Sequence, residues 1–369
     1  MIKMITTGLC LLLLGLVGRG VTATTISNMT TRTWNGKVDL TYTIAENGYN
    51  DYANSALAIT LTENHMGRIY TPTDTGRHRI TWDVAMDGLN LVSSNVKATV
   101  SLVQYGTSTV TNGPYCVVDL SNGPNAVRWP ILYLSSVPTG GWTDIYKMTL
   151  LVLRRIPAGS FFMGGIPAES RRVTITKPFY IGVFEVTQKQ WELVMGTDPS
   201  HFSWNAQKPV ECVSYDDIRG SSLGGLWPTS VTVDTSSFLG RLRAKTGLDF
   251  DLPTEAQWEY AYDDPMIWEP SLDDIAWYHD NSDSQTHRVG MLSSNSRGLY
   301  DMLGNVCEWC RDWYTLELTY GTDPLGAALG AGRVIRGGSW GNHPSPSSRL
   351  YIAPSNRSNG VGFRLVRNL

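Results

Sequence analysis

Residues 298–314, GLYDMLGNVCEWCRDWY, combine carboxylates, aromatic side chains and two cysteines in Cys-x-x-Cys spacing. Such a pair, Cys307 and Cys310, can hold zinc or exchange disulfides. Structural zinc needs four converging soft ligands, however, and a redox pair needs a helix N-terminus after a strand. Residues 305–309 predict an extended segment, which sends the two cysteines to opposite faces. We therefore expect buried packing thiols, or one disulfide involving Cys212, in place of a zinc or redox site.

Two other sets of residues are of types that can do chemistry, but the sequence around them argues against an active site. The run GGSWG at 337–341 matches a serine nucleophile elbow, which requires a helix after it. Pro344 and Pro346 prevent that helix, so a serine hydrolase is not expected. The six histidines are scattered. His279 and His287 could meet across a loop, although solvent-facing loop positions are the default interpretation. No nucleotide-binding glycine motif is present.

Oxygen ligands for a hard cation are better represented. Asp301 and Glu308 bracket Gly304 and Asn305, a flexible segment whose backbone can turn its carbonyls inward. Two carboxylates with backbone oxygens suit calcium. The composition of this run therefore indicates a calcium site more readily than a thiol site.

Bulk composition excludes several classes of protein. The 369 residues suit two domains, and 42% hydrophobic against 17% charged residues excludes a disordered chain. A net charge of −3 provides no basic face for nucleic acid, so no nucleic-acid partner is expected. Abundant glycine (36) and tryptophan (13) indicate a loop-rich, β-rich fold. Four cysteines beyond Cys10 are too few for a disulfide framework in a chain this long.

The first residues predict a signal peptide over 1–23. Lys3 supplies its positive region, residues 9–17 its apolar segment, and residues 21–23 a small-residue cleavage pattern. The apolar segment is too short to span a bilayer. We therefore expect an exported protein (periplasmic, cell-surface or secreted) with no membrane insertion after cleavage.

Residues 24–112 alternate apolar and polar side chains between turn signals, which predicts short strands with one face on a core. This spacing favours an all-β immunoglobulin-like sandwich, acting as a spacer or binding module. Residues 113–149, rich in Pro and Gly, are interpreted as a connector. The clearest alternating runs are 38–44, 57–61, 80–84 and 96–102.

The pattern changes after residue 150. Residues 151–164 predict strand, turn and strand. Capping boxes predict one helix from Thr187 through Met195, stopped by Gly196, and another from residue 253 through 261. A third helix is expected over 236–246.

Residues 150–369 resemble the formylglycine-generating enzyme (sulfatase-modifying factor) family. The resemblance implies a C-type-lectin-like fold with little regular secondary structure and a calcium-stabilised interior, so that the whole chain is expected to be α+β. A sandwich in front of such a domain would suit an exported bacterial protein. Seven ordered blocks carry the resemblance: FFMG (161–164), FEVTQ (184–188), PVECVSY (209–215), LPTEAQWEY (252–260), GLYDMLGN (298–305), RVIRGGSW (333–340) and GFRL (362–365).

The resemblance also assigns metal positions. A structural calcium site would use the side chains of Asp301 and Glu308 and the carbonyls of Gly304 and Val306. The family's enzymes oxidise a substrate cysteine to formylglycine with copper held by two cysteines after the Gly-Gly-Ser motif. Those positions match Asn342 and Ser347, and neither side chain offers the thiolate that holds Cu(I). Copper is therefore not expected.

We accordingly expect a binding or surface module that takes an extracellular peptide, protein or glycan. The alternative is an oxidoreductase-like enzyme of the same family with altered metal-dependent chemistry, and enzymatic activity is left open. The residues expected to line a binding groove are Ser339, Trp340, Asn342, His343 and Arg349. An equally open alternative is that these polar residues lie on a surface loop without binding anything.

Overall fold

The computed structural model describes most of the chain after residue 112 and, before it, the backbone of six strands. The chain divides into two compact units, Met1–Thr107 and Ser108–Leu369. The predicted signal peptide, 1–23, lies outside the described residues. The ranges described in full are 113–138, 140–164, 171–203, 205–262 and 271–369.

The first unit contains two three-stranded antiparallel sheets. Their strand orders are β1-β2-β5 and β4-β3-β6. The runs 38–44 and 57–61 lie within β2 and β3, and the runs 80–84 and 96–102 overlap β5 and β6, so period-two alternation located these elements. The immunoglobulin-like packing of the two sheets stays a prediction. The strands are β1 (Thr25–Trp34), β2 (Lys37–Ala45), β3 (Ser55–Leu61), β4 (His65–Tyr70), β5 (Gly76–Asp83) and β6 (Ala98–Gln104).

The second unit mixes short strands with short helices. Its strands are β7 (Tyr115–Asp119), β8 (Ile131–Leu134), β9 (Leu150–Ile156), β10 (Gly159–Met163), β11 (Arg171–Ile175), β12 (Phe179–Gly182), β13 (Phe250–Asp251), β14 (Ala276–Trp277), β15 (Leu303–Gly304), β16 (Cys307–Trp313), β17 (Gly321–Thr322), β18 (Arg333–Arg336), β19 (Arg349–Ile352), β20 (Val361–Gly362) and β21 (Val366–Asn368). Its helices are α1 (Gln188–Met195), α2 (Tyr215–Arg219), α3 (Phe238–Thr246), α4 (Glu255–Tyr262) and α5 (Leu272–Ile275).

The largest sheet corrects the interpretation of residues 113–149 as a connector. Its order is β13-β21-β12-β9-β7-β8, so the segment supplies two of the six strands. The side chains of β7 are buried throughout. Proline and glycine mark the turns between these strands. The short apolar runs among them, YCVVD and ILYL, pair with each other, and YCVVD also pairs with β9. The segment therefore folds as part of the second unit.

Helix ends follow the predicted capping chemistry. Thr187 and Gln190 form the reciprocal capping box of α1, and Gly196 ends it in the left-handed conformation with φ of 80°. Ser237 caps α3, and Gly247 ends it at φ of 70°. Helix α2 was not predicted, although Ser214 caps it through the same type of box.

Strand β16 lies at the centre of the four-stranded sheet β19-β18-β16-β20 and separates two apolar cores. Cys307 packs in one core with Trp309, and Cys310 packs in the other with Trp258. The prediction that the two cysteines point to opposite faces is therefore confirmed. Trp313, the last residue of β16, is half-buried, and the Arg333 guanidinium lies 3.5 Å from its ring centroid.

Candidate functional site

A Gly-Gly-Ser-Trp run turns the chain out of β18 and begins the loop that carries most of the predicted groove residues. Gly337 and Gly338 have φ of 92° and 77°, in the left-handed region that favours glycine. A Cβ on Gly338 would lie 2.6 Å from the Pro344 Cβ, so this close approach requires glycine. The Asn342 side chain closes the turn, because its Oδ1 accepts a hydrogen bond from Ser339 N at 2.9 Å.

Ser339 and Trp340 lie at the inner end of this loop. Ser339 is buried, and its Oγ accepts a hydrogen bond from Gly341 N at 3.4 Å. Trp340 is half-buried, its indole N–H donates to the Asn359 carbonyl at 3.0 Å, and its ring meets Phe202 edge-on with centroids 5.3 Å apart. These two residues are held by the fold, and Trp340 offers part of an aromatic surface to solvent.

Asn342 and His343 lie at the exposed outer end of the loop and meet a second loop, residues 278–282. His279 N donates to the Asn342 carbonyl at 3.3 Å. Ser282 Oγ donates to the Trp340 carbonyl at 2.8 Å. These two hydrogen bonds therefore tie the two loops together and fix how their exposed side chains face each other.

Two histidines and a carboxylate converge where these loops meet. His279 Nδ1 lies 2.8 Å from Asp280 Oδ1, and His343 Nε2 lies 3.4 Å from Asp280 Oδ2. The hydrogen bond with His279, together with the nearby His343, lowers the pKa of Asp280, which is therefore ionised at neutral pH. Among the fully described ranges, this is the one group of three or more such side chains whose ligand atoms all lie within 4.8 Å of one another.

The structure does not bring His279 and His287 together. His287 stacks on Trp277 with ring centroids 3.9 Å apart, and its Nε2 lies 2.8 Å from the Ser282 carbonyl oxygen. His279 instead faces His343. Sequence reasoning could not find this pairing, because the two residues come from loops far apart along the chain.

Arg349 is committed to a buried ion pair and does not join the other groove residues. Its Nε and Nη2 bond both oxygens of Glu255, at 2.6 and 2.8 Å. Glu255 also accepts a hydrogen bond from Arg336 Nη1 at 2.7 Å. These guanidinium groups hold the pKa of Glu255 below its usual range against the opposing effect of burial. We correct the assignment of Arg349 from the groove to the network that anchors α4.

The positions matching the family's copper cysteines carry oxygen and amide side chains. Asn342 is used in the turn described above, and Ser347 Oγ lies 3.0 Å from Ser345 Oγ. Hard or neutral groups of this kind do not select copper(I). This arrangement therefore does not fit the copper centre that the family's chemistry requires.

The four cysteines in the described ranges are free thiols, so a disulfide involving Cys212 does not form. Burial raises the pKa of Cys307 to about 12 and that of Cys310 well above its usual value. Because the thiolate is the reactive form, both groups are inert packing thiols.

The predicted calcium residues surround a buried excess of negative charge. Glu308 accepts Arg364 Nε at 2.7 Å on each oxygen and Trp258 Nε1 at 2.7 Å. Asp301 accepts Gly290 N at 2.6 Å, and burial raises the pKa of Asp301 to about 6.

Sequence reasoning missed a third carboxylate at this place. Glu185 accepts Asn305 Nδ2 at 2.8 Å and Val306 N at 3.2 Å. Burial, with Asp301 and Glu308 nearby, raises its pKa well above the usual range. The sequence marks Glu185 only as the acidic residue of the FEVTQ block. Three carboxylates face one buried guanidinium, that of Arg364, so the charge of the donor set fits a cation.

Comparison with known proteins agrees with this architecture. Residues 149–369 match the profile of the sulfatase-modifying factor enzyme 1-like domain. The chain therefore belongs to the formylglycine-generating enzyme family, and its second unit has that family's C-type-lectin-like fold with mixed helix and sheet.

Two relatives and one solved structure show the range of proteins to which the chain is similar. It is 29% identical to the "Chaperone protein LppX" of Paenibacillus barcinonensis over 64% of this chain and 94% of that protein. It is 24% identical to the "Inactive C-alpha-formylglycine-generating enzyme 2" of Bos taurus, over 64% and 94% respectively. The solved structure of Treponema denticola variable protein 1 superposes with a TM-score of 0.51 at 28% identity, covering 60% of this chain and 96% of that one.

In the described part of the chain, every helix is too short or too polar to cross a membrane.

Proposed function

We propose that this protein is an exported binding protein whose second unit recognises a peptide, protein or glycan and does not generate formylglycine. The observation that carries the proposal is the identity of Asn342 and Ser347. These residues stand where the family's catalytic copper is held by cysteines, and they offer no thiolate. Without those ligands the domain keeps the family's loop-built surface but lacks its oxidising metal.

The composition of the loops favours recognition of a polar ligand. Asn342 and His343 are exposed and supply hydrogen-bond donors and acceptors. Trp340, packed edge-on against Phe202, adds an aromatic surface beside them. An aromatic plane next to a few convergent polar groups suits sugars and extended peptides.

The names of two relatives support a role without oxidation. One is called a chaperone protein, and another is called inactive. Both align along nearly their whole length, so the fold accommodates proteins that are not named for formylglycine generation.

The predicted leader over 1–23 supports export, since its charged start, apolar segment and small-residue end follow the secretory pattern. We also propose that the two sheets of the first unit pack as an immunoglobulin-like sandwich that acts as a spacer or a second binding module. The alternation of its strands supports one buried face per sheet.

We propose a structural calcium ion at Asp301 and Glu308, with the carbonyls of Gly304 and Val306. The excess of buried carboxylates over guanidinium groups supports this proposal, because a divalent cation would neutralise charge that is otherwise costly to bury. Glu308 keeps its bond to Arg364 in either case.

Two assays test the binding proposal against retained catalysis. First, the full-length protein, supplied with copper and then with iron, is incubated with a cysteine-containing sulfatase peptide. No change of thiol to aldehyde is expected by mass spectrometry, and aldehyde formation would overturn the proposal. Second, the protein is applied to peptide and glycan arrays, where one ligand class is expected to bind.

A matched pair of variants then locates the binding surface. Asn342→Asp keeps the oxygen that accepts from Ser339 N but replaces an exposed amide with a charge, so binding of the array ligand should fall at least about tenfold. Asn125→Asp makes the same change on an exposed residue between β7 and β8 and should bind normally. Equal binding by both variants, or no ligand on either array, would contradict a recognition surface at this loop.

A further inference from the structure

The loops at residues 278–282 and 339–343 hold an arrangement that the family resemblance does not assign. His279, Asp280 and His343 each offer one ligand atom, and these atoms all lie within 4.8 Å of one another. Two imidazoles with one carboxylate are the donor set of zinc and related divalent transition metals, whereas calcium prefers oxygen ligands alone.

One separation between these atoms matches that around a small tetrahedral ion, and another is shorter. Zinc lies about 2.0–2.2 Å from nitrogen and oxygen ligands, which places two ligands of a tetrahedron about 3.4 Å apart. His343 Nε2 and Asp280 Oδ2 are 3.4 Å apart, and His279 Nδ1 and Asp280 Oδ1 are 2.8 Å apart. Because all three ligand atoms lie within 4.8 Å of one another, rotation of these exposed side chains can bring them around one ion.

The fold holds the two loops in this relation. Asn281 Oδ1 accepts from Tyr278 N at 2.8 Å, and its Nδ2 donates to the Ala276 carbonyl at 2.9 Å, which shapes the loop around His279. The Tyr278 ring lies 5.1 Å from the His343 ring and packs beside it. Contacts that position ligands in advance reduce the entropy lost when a metal binds.

An ordinary surface ion pair explains the arrangement less well. Exposed pairs contribute little stability, and one histidine would be enough to pair with one aspartate. Here two imidazoles from separate loops meet the two oxygens of a single carboxylate. The side chains are 68%, 54% and 63% exposed for His279, Asp280 and His343, so any bound ion would keep open coordination positions.

We propose that His279, Asp280 and His343 form a zinc site with three protein ligands and at least one position open to water or to a ligand atom. The site is distinct from the calcium proposal, which concerns buried oxygen ligands. It also stands apart from the copper positions of the family, since neither Asn342 nor Ser347 takes part.

Calorimetric titration of the chelator-treated full-length protein with zinc chloride tests the proposal. One zinc ion per chain should bind to the unmodified protein. His279→Ala, His343→Ala and Asp280→Asn should each weaken binding at least about tenfold, because even the loss of an outer-shell partner costs that much. His201→Ala is the matched control, since it removes an exposed imidazole outside the group, and it should leave the affinity unchanged.

Cobalt(II) gives a second readout. Its visible absorption should show low-symmetry coordination in the unmodified protein and in His201→Ala, and only the aqueous spectrum in the double variant His279→Ala with His343→Ala. Superimposable circular dichroism of the variants verifies that they fold. Zinc binding of equal strength in the double variant and the unmodified protein, or no binding to the unmodified protein, would overturn the site.

Discussion

Removal of the Glu308 carboxylate tests how this domain is held together. Glu308 and Arg364 are at most 1% exposed, and the pair is joined by hydrogen bonds of 2.6 to 2.7 Å. Glu308→Ala leaves the guanidinium buried without its partner and Trp258 Nε1 without an acceptor. Loss of one member of a buried pair costs about 3–5 kcal/mol. At about 2–4 °C for each kcal/mol, the melting temperature should fall by about 6–20 °C.

The assay is urea and thermal unfolding of the full-length protein, followed by tryptophan fluorescence. Glu308→Gln is the matched variant, because it keeps the side-chain shape and an acceptor oxygen while it removes the charge, and it should lose less stability than Glu308→Ala. A loss below about 1 kcal/mol for Glu308→Ala, the value typical of an exposed pair, would refute the reasoning.

The calcium proposal enters the same experiment as a separate arm. A chelator should lower the melting temperature of the unmodified protein. It should have no effect on Asp301→Asn, whose side chain preserves the shape and tolerates the positive φ of 53° at this position. Glu308→Ala should be destabilised with or without calcium, because Arg364 loses its partner in both. A chelator without effect on the unmodified protein would exclude the calcium clamp and leave the ion-pair result standing.

Two further variants probe a buried acid and the Gly-Gly turn. Burial raises the pKa of Asp312 from 3.8 to about 7, so this group favours the folded state below pH 3.8 and loses that contribution as the pH rises through 7. Asp312→Asn should therefore flatten the decline in unfolding free energy between pH 4 and 7, and an unchanged slope in urea titrations would contradict the assignment. Gly338→Ala forces a Cβ to within 2.6 Å of Pro344 at a positive φ and should cost about 1–3 kcal/mol in the same assay, whereas Gly341→Ala, with open space around it, should cost less than about 1 kcal/mol.

Local chemistry made several features predictable. Capping boxes and terminal glycines located α1, α3 and α4, because these signals act within a few residues of one another. The two-residue period of a strand placed Cys307 and Cys310 on opposite faces of β16, because this pattern also acts between residues close in sequence. The seven sequence blocks that resemble the family were enough to predict the fold of the second unit.

Features that depend on distant partners were not predictable in this way. The sequence marks residues 113–149 with turn signals, but only the tertiary structure pairs β7 with β9 and makes the segment part of the sheet. Arg349 is polar and close to the groove loop in sequence, and only the folded chain brings Glu255 to it.

The candidate functional site also has features that the sequence predicted and features that only the structure showed. The sequence by itself predicted that the copper cysteines are missing, since the positions matching them carry Asn342 and Ser347. The tertiary structure alone decided that Glu185 joins Asp301 and Glu308, and that His343 meets His279 and Asp280. The physical reason is that ionic and ligand contacts depend on distance in space, and loop conformations that bring such groups together are set by the packing of the whole domain.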